Sequence, residues 1–233
     1  MPLPQIDVPL FKIQIPATKK KVNFRPFLVK EEKILIMANE SGDVNDMLLA
    51  TQQIITNCSM GVVDGTTLPL FALQKIFMDL RSASVSNIIE LNLVCGECDT
   101  KYDHELDLQA LEITYDPEHT SRIKLDEQLI IEMEYPSAGR LAELFGSETM
   151  EELYTTAALC ISKIFQGDEI IDVSDVSENE MIEWIENLTL DQFAGIRSFF
   201  ETMPVLEHTF EFDCLGCGKG NYITLNGYTN FFV

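Results

Sequence analysis

Four cysteines arranged as two CxxC pairs constrain this chain more than any other feature. They are Cys95-Gly96-Glu97-Cys98 and Cys214-Leu215-Gly216-Cys217. Alternating, strand-like residues precede and follow each pair. Residues 88–94 lead into the first and 102–108 leave it, while 208–213 lead into the second and 222–225 leave it. Strand, tight turn and strand are thus written twice. A tetrahedral zinc ion takes two thiolates from each such turn. The spacing predicts one shared Zn2+ site made of Cys95, Cys98, Cys214 and Cys217, which would tie two distant parts of the chain together. Four protein ligands leave no open coordination position, so the metal is expected to be structural. The alternative is a pair of redox CxxC sites in a thiol oxidoreductase. Neither pair opens a helix in a βαβ context, as that chemistry would need.

The remaining thiols, Cys58 and Cys160, lie in helix-like apolar contexts and read as buried. The N-terminus has no basic segment followed by an apolar one, so no secretory signal is expected. A reducing cytoplasm then favours metal ligation over disulfides. No apolar run is long enough to span a bilayer, and a membrane is not an expected partner.

The 233 residues are 46% hydrophobic, enough for a sizeable core, and carry a formal net charge of −22. Such a balance disfavours nucleic acid. Nucleic acid would enter only through the second functional alternative, a zinc-ribbon transcription factor, which needs a basic face around the hairpins. The charge is unevenly spread. Residues 1–40 hold seven Lys/Arg (Lys12, Lys19, Lys20, Lys21, Arg25, Lys30 and Lys33) against four acids, a net of +3. The rest carries −25. A basic arm on an acidic body suits an acidic partner or a second copy of the chain, or is simply a solvated loop.

Local signals give an α+β reading: a helical body with two CxxC β-hairpins forming a zinc-ribbon-like clasp. Residues 1–40 form an extended basic arm, since Pro9, Pro16 and Pro26 favour extended backbone, with 30–39 open to helix or strand. Residues 41–87 are helical. Asp43 caps a helix over 44–58, and Thr67 caps a second with Pro69 in its first turn. Residues 88–110 and 208–233 hold the hairpins. Residues 111–207 are a mixed, acidic insertion. Within it a strand-like stretch runs from Arg122 to Tyr135, broken at Asp126-Glu127. A short helix follows over 137–144. Thr149 and Glu152 open a helix to Phe165, and 169–173 is a strand. Ser177/Glu180 and Thr189/Gln192 box the starts of helices over 181–188 and 190–203. Their apolar residues, including Trp184, Phe193, Ile196, Phe199 and Phe200, fit a core better than a partner surface. The apolar C-terminal residues 228–233 suit docking on the body or on a neighbour.

Other chemistry is scarce. No P-loop, GxSxG, HExxH or dinucleotide motif occurs, so the chain is not expected to be an enzyme. His104 and His208 flank the CxxC pairs and are alternative ligands, though four sulfurs already suffice. Lys101 and Lys219 sit where they could offset the −2 charge of a four-thiolate zinc.

Two segments bear a resemblance. Phe24-Arg25-Pro26-Phe27-Leu28-Val29-Lys30-Glu31-Glu32-Lys33-Ile34-Leu35, and the Leu68–Ser84 stretch ending Leu80-Arg81-Ser82-Ala83-Ser84, resemble the start of T4-type bacteriophage baseplate hub proteins. The likeness runs over about residues 20–110. It implies a non-catalytic virion or tail-assembly protein of the contractile-tail baseplate, working in the host cytoplasm as an assembly factor or chaperone. Its implied partners are other hub proteins or the tail tape-measure protein.

Overall fold

The computed structural model describes residues 7–16, 18–140 and 150–226. They form two compact units. The first takes the described residues up to Thr114 and from Val205 onward, and the second takes those of Tyr115–Pro204. The fold is α+β with small antiparallel sheets. No described helix is long and apolar enough to cross a membrane.

The first unit begins with a two-stranded ribbon, β1 (Phe11–Gln14) and β2 (Lys21–Phe24). The register pairs Phe11 with Phe24 and Lys12 with Asn23. One face therefore buries Ile13 and Phe24, and the other exposes Lys12, Gln14, Lys21 and Asn23. The extended arm stops at Leu28. Helix α1 (Val29–Ser41) follows, so the 30–39 stretch resolves as helix. Glu31 explains the change. Its Oε2 accepts the Leu28 N–H at 3.0 Å, satisfying one of the free amides at the helix start. The same carboxylate takes a two-pronged ion pair from Arg25, at 2.8 and 3.0 Å. Glu31 is fully buried.

Asp43 caps α2 (Val44–Cys58) by accepting the Asn45 N–H, as expected from sequence. The second cap differs. Gly65–Thr67 forms a single tight turn, and Pro69 occupies the cap of α3 (Leu70–Ser84). Asp64 draws the turn closed by accepting both Thr66 N–H and Thr66 Oγ1–H. The buried faces of α2 and α3 bring Leu48, Ile54, Ile55, Leu73, Ile76, Phe77 and Leu80 into one core. The segments that carry the family resemblance meet here. The Phe27 N–H donates to Ser84 Oγ at 3.0 Å, and the Phe27 and Phe77 rings lie 5.8 Å apart.

Strands β3 (Ile88–Val94) and β4 (Lys101–Asp107) form the first hairpin, and β5 (Ile113–Thr114) follows. The chain leaves this unit after Thr114 and returns at Val205, which faces Thr114 across a strand pair. A ninety-residue insertion therefore begins and ends at neighbouring backbone positions. Strands β10 (Val205–Asp213) and β11 (Gly220–Asn226) form the second hairpin.

In the second unit, β6 (Arg122–Lys124) and β7 (Leu129–Met133) make a hairpin rather than one interrupted strand. Asp126 Oδ1 turns the chain by accepting the Gln128 and Leu129 amides, each at 2.7 Å. Helix α4 (Met150–Cys160) stops well short of the expected Phe165, because Ile161–Gln166 forms β8 between β7 and β9 (Glu169–Asp172). Two ladders of backbone hydrogen bonds override a helical pattern that the sequence continues. Residues 138–140 are helical, while 141–144, Thr149 and residues 228–233 lie outside the described residues. Helices α5 (Glu178–Glu186) and α6 (Leu190–Glu201) open on the two capping boxes read from sequence. Their apolar residues join β6–β8 and α4 in one core that contains Ile131, Met133, Ile185, Phe193, Ile196 and Phe199.

Candidate metal centre

Period-two alternation delivers the first thiol. Along β3 it turns Ile89, Leu91 and Leu93 inward, and the next inward position is Cys95. The two CxxC turns then repeat one geometry. In the first, Cys95 N–H donates to Thr100 O and Asp99 N–H to Cys95 O. In the second, Cys214 N–H donates to Lys219 O and Gly218 N–H to Cys214 O. The residue after each second cysteine is left-handed: Asp99 at φ 55° and Gly218 at φ 72°. Glycine adopts this region freely, and aspartate is among the few other residues that visit it. In both turns the first cysteine is buried and the second exposed.

All four sulfur atoms lie within 4.8 Å of one another. Cys98 Sγ is 3.5 Å from Cys214 Sγ, and Cys95 Sγ is 3.9 Å from Cys217 Sγ. Four thiolates at a Zn–S distance of about 2.3 Å would stand about 3.8 Å apart along each tetrahedron edge. These two separations bracket that value, so the donor set fits a tetrahedral thiophilic ion in size and chemistry. The local field favours thiolate at Cys214 and Cys95. At Cys217 the Lys219 amide is outweighed by the neighbouring sulfurs, Cys214 foremost, which push its thiol up to about 12. The Tyr102 hydroxyl donates to Cys214 Sγ at 2.7 Å, and the Cys217 N–H points at the same sulfur at 3.3 Å. Led by the Tyr102 contact, these hold the Cys214 thiol down at about 5. Backbone amides, chiefly that of Glu97, lower Cys95 as well. By contrast, burial raises the isolated thiols Cys58 and Cys160 to about 11 and about 12.

The hairpins are also joined beyond the sulfurs. The Gly96 N–H donates to Asn221 Oδ1 at 3.3 Å, and Lys219 Nζ lies 2.7 Å from Glu97 Oε2. Tyr102 packs on Phe212 with ring centres 5.1 Å apart. Gly216 allows the close approach of the turns, since a Cβ there would sit 2.6 Å from Thr100 Oγ1.

The four predicted cysteines therefore come together. The two histidines do not join them. His104 and His208 pack edge-on against Phe210, at 4.4 and 4.7 Å. Lys219 is engaged by Glu97, and Lys101 is exposed opposite Val94 in the strand register. Sequence reasoning missed Thr100, Tyr102 and Asn221. The alternation that places Cys95 offered the clue for two of them. Thr100, Tyr102 and His104 lie two residues apart and approach Gly216, Cys214 and Phe210 of the second hairpin.

The site is a closed, polar-lined clasp between two β-hairpins of a phage-type chain, and the family match defines the class. A model of the T4 bacteriophage base plate protein family matches residues 8–233, well beyond the segments that first suggested the likeness. The chain belongs to that family and is a phage baseplate protein. No curated protein and no solved structure matches it.

Proposed function

We propose that this protein is a non-catalytic structural or assembly component of the baseplate hub, held in shape by one zinc ion on Cys95, Cys98, Cys214 and Cys217. The observation that carries the metal reading is the set of four sulfurs within 4.8 Å, drawn from two turns of like geometry. When bound, the ion supplies a cross-link and no open position for substrate. Around it, Tyr102 and the backbone amides would hold the thiolates in place, and Gly216 would let the turns meet. Family membership supports the baseplate role, and the absence of a catalytic motif fits a protein that works through its surfaces. In this reading the clasp of residues 88–110 and 208–233 keeps a fixed frame on which other hub or tape-measure proteins assemble in the host cytoplasm.

Two measurements test the two parts. Elemental analysis of the purified chain should give about one zinc per molecule, lost on Cys95→Ser substitution. Zinc at well under half an equivalent, from material grown with zinc and never exposed to chelator, overturns the metal assignment. Co-expression with the hub and tape-measure proteins of the same phage should yield a complex by size-exclusion chromatography. Failure to bind any of them overturns the hub assignment.

A further inference from the structure

We propose that the lysine ribbon β1–β2 of one copy docks on the acidic free edge of β9 in a second copy, giving head-to-tail self-association. Lys12, Lys19, Lys20 and Lys21 are all exposed on the ribbon. No acid lies between Asp7 and Glu31, so the ribbon is a concentrated positive site on a chain of net charge −22. Its apolar face, with Ile13 and Phe24 buried, fixes the lysine face outward.

The complementary surface lies in the other compact unit. Strand β9 ends the sheet β6-β7-β8-β9, so its outer edge is unpaired among the described residues. All four of its residues are exposed, with Ile170 65% and Ile171 39% accessible. An unpaired edge bearing two isoleucines is a template for another strand. From Ile164 to Ile196 the chain has nine acids and no Lys or Arg. Asp168, Glu169 and Asp172 flank the isoleucines directly and are exposed. The nearest cation, Lys163, stands opposite Asp172 and lies 3.6 Å from Glu132.

Charge decides which partner this edge admits. Two β9 edges repel each other, as do two lysine ribbons, so a symmetric contact through either surface is disfavoured. A ribbon on a β9 edge brings opposite charges together and can extend the sheet while covering Ile170 and Ile171. The contact is therefore heterologous: each copy offers one donor surface and one acceptor surface. A second copy is the favoured occupant because both halves of the match lie on the same chain in equal number. This inference is independent of the hub and metal readings, and its test uses neither.

The test is sedimentation velocity of the full chain over a range of concentrations, in low and in high salt. Wild type should self-associate in low salt, and less so as salt rises. Two charge-reversal variants, Lys19→Glu/Lys20→Glu/Lys21→Glu and Asp168→Lys/Glu169→Lys/Asp172→Lys, should each lose at least about tenfold in association constant. Mixed one to one, they should recover association, because each then offers what the other lacks. Circular dichroism and thermal melting check that both variants fold, and if one does not, single reversals at Lys20 and Glu169 replace it. A wild type that stays monomeric at low salt overturns the proposal, as does recovery that fails on mixing folded variants. Salt-dependent binding of a DNA duplex by the ribbon, without self-association, likewise overturns it and assigns the ribbon to nucleic acid.

Discussion

The two compact units reach stability by different routes. The Tyr115–Pro204 unit is one stretch of chain with a continuous apolar core, in which aromatic rings tie helix α6 to the segment that follows β7. Phe199, for example, lies 5.7 Å from Tyr135 and 5.4 Å from Phe200. The other unit is built from two stretches that the insertion separates. Near the thiols burial is one-sided: β3 buries Ile89, Leu91 and Leu93, but β4 buries only Leu106, and β10 only Leu206 and Phe210. Hydrophobic burial carries the helical part of this unit, and at the hairpin tips the four-cysteine cluster would, with the proposed ion bound, add a cross-link. An insertion of that size would make the cross-link useful. Cys98 and Cys214 are 116 positions apart, and a link across so long a loop removes much freedom from the unfolded chain.

Cutting the link should produce the largest effect. Cys95→Ser, or removal of metal by a chelator, should cost several kcal/mol of clasp stability, because structural zinc binding is itself folding free energy. Hydrogen exchange should quicken in both hairpins, 88–107 and 205–226, while the second unit keeps its protection. If 205–226 stays as protected as before, the pairs do not share an ion and the contrast between the units fails.

The converse cut is Phe199→Ala. Phe199 is 2% exposed and central to the aromatic cluster. Its truncation should cost about 3–5 kcal/mol. Exchange should then rise across β6–β8 and α6, with zinc content unchanged. Loss of zinc in this variant would show that the clasp leans on the inserted unit.

A buried charge gives a third, smaller cut, this time in the helical part of the first unit. Burial alone would raise the Glu31 carboxyl, but Arg25, the Leu28 amide and Lys30 more than offset it and hold it below its ordinary value. A group lowered on folding adds stability that is present above its unfolded value of 4.5 and is lost as pH falls through its lower folded value. Glu31→Gln should remove that acid limb and cost about 3 kcal/mol at neutral pH, since it leaves the Arg25 charge, 12% exposed, without its partner. Thermal melts of wild type and variant from pH 7 down to pH 3 check both statements. A variant whose melting point falls as steeply in acid as the wild type's would place the acid limb elsewhere.

These sites differ in how far the sequence revealed them. Asp43, Ser177 and Thr189 were legible as caps because a cap is a local bond between near neighbours. The four clustered cysteines were legible because the spacing within each CxxC pair is also local. That the two pairs meet was an inference from metal chemistry, and the sulfur cluster supports it. The β8 strand was not legible. Ile161–Gln166 continues a helical pattern, and only its neighbours β7 and β9 make it a strand. The short β5 strand, which closes the insertion against β10, was hidden for the same reason. The part of Arg25 and Glu31 was hidden too. Their sequence likeness marked a family, and the fold shows what that segment does: it pins the start of α1 to the end of α2, where Arg25 N–H also donates to Cys58 O.

The smallest expected effect probes how much of the clasp is metal and how much is protein. Glu97 and Lys219 form an ion pair across the two turns, but both are more than half exposed. Exposed pairs contribute about 0.2–1 kcal/mol and weaken with salt. Lys219→Ala should therefore change clasp stability by under about 1 kcal/mol, and the difference from wild type should shrink as salt rises. Tyr102→Phe, which removes a buried-side contact to a ligand sulfur, should weaken metal binding by about tenfold, the lower end for groups that orient a ligand. Competition with a coloured zinc chelator measures both. If Lys219→Ala proves the more damaging, surface charge and not the thiolate environment steadies the clasp, and the division between a cross-linked unit and an apolar one must be redrawn.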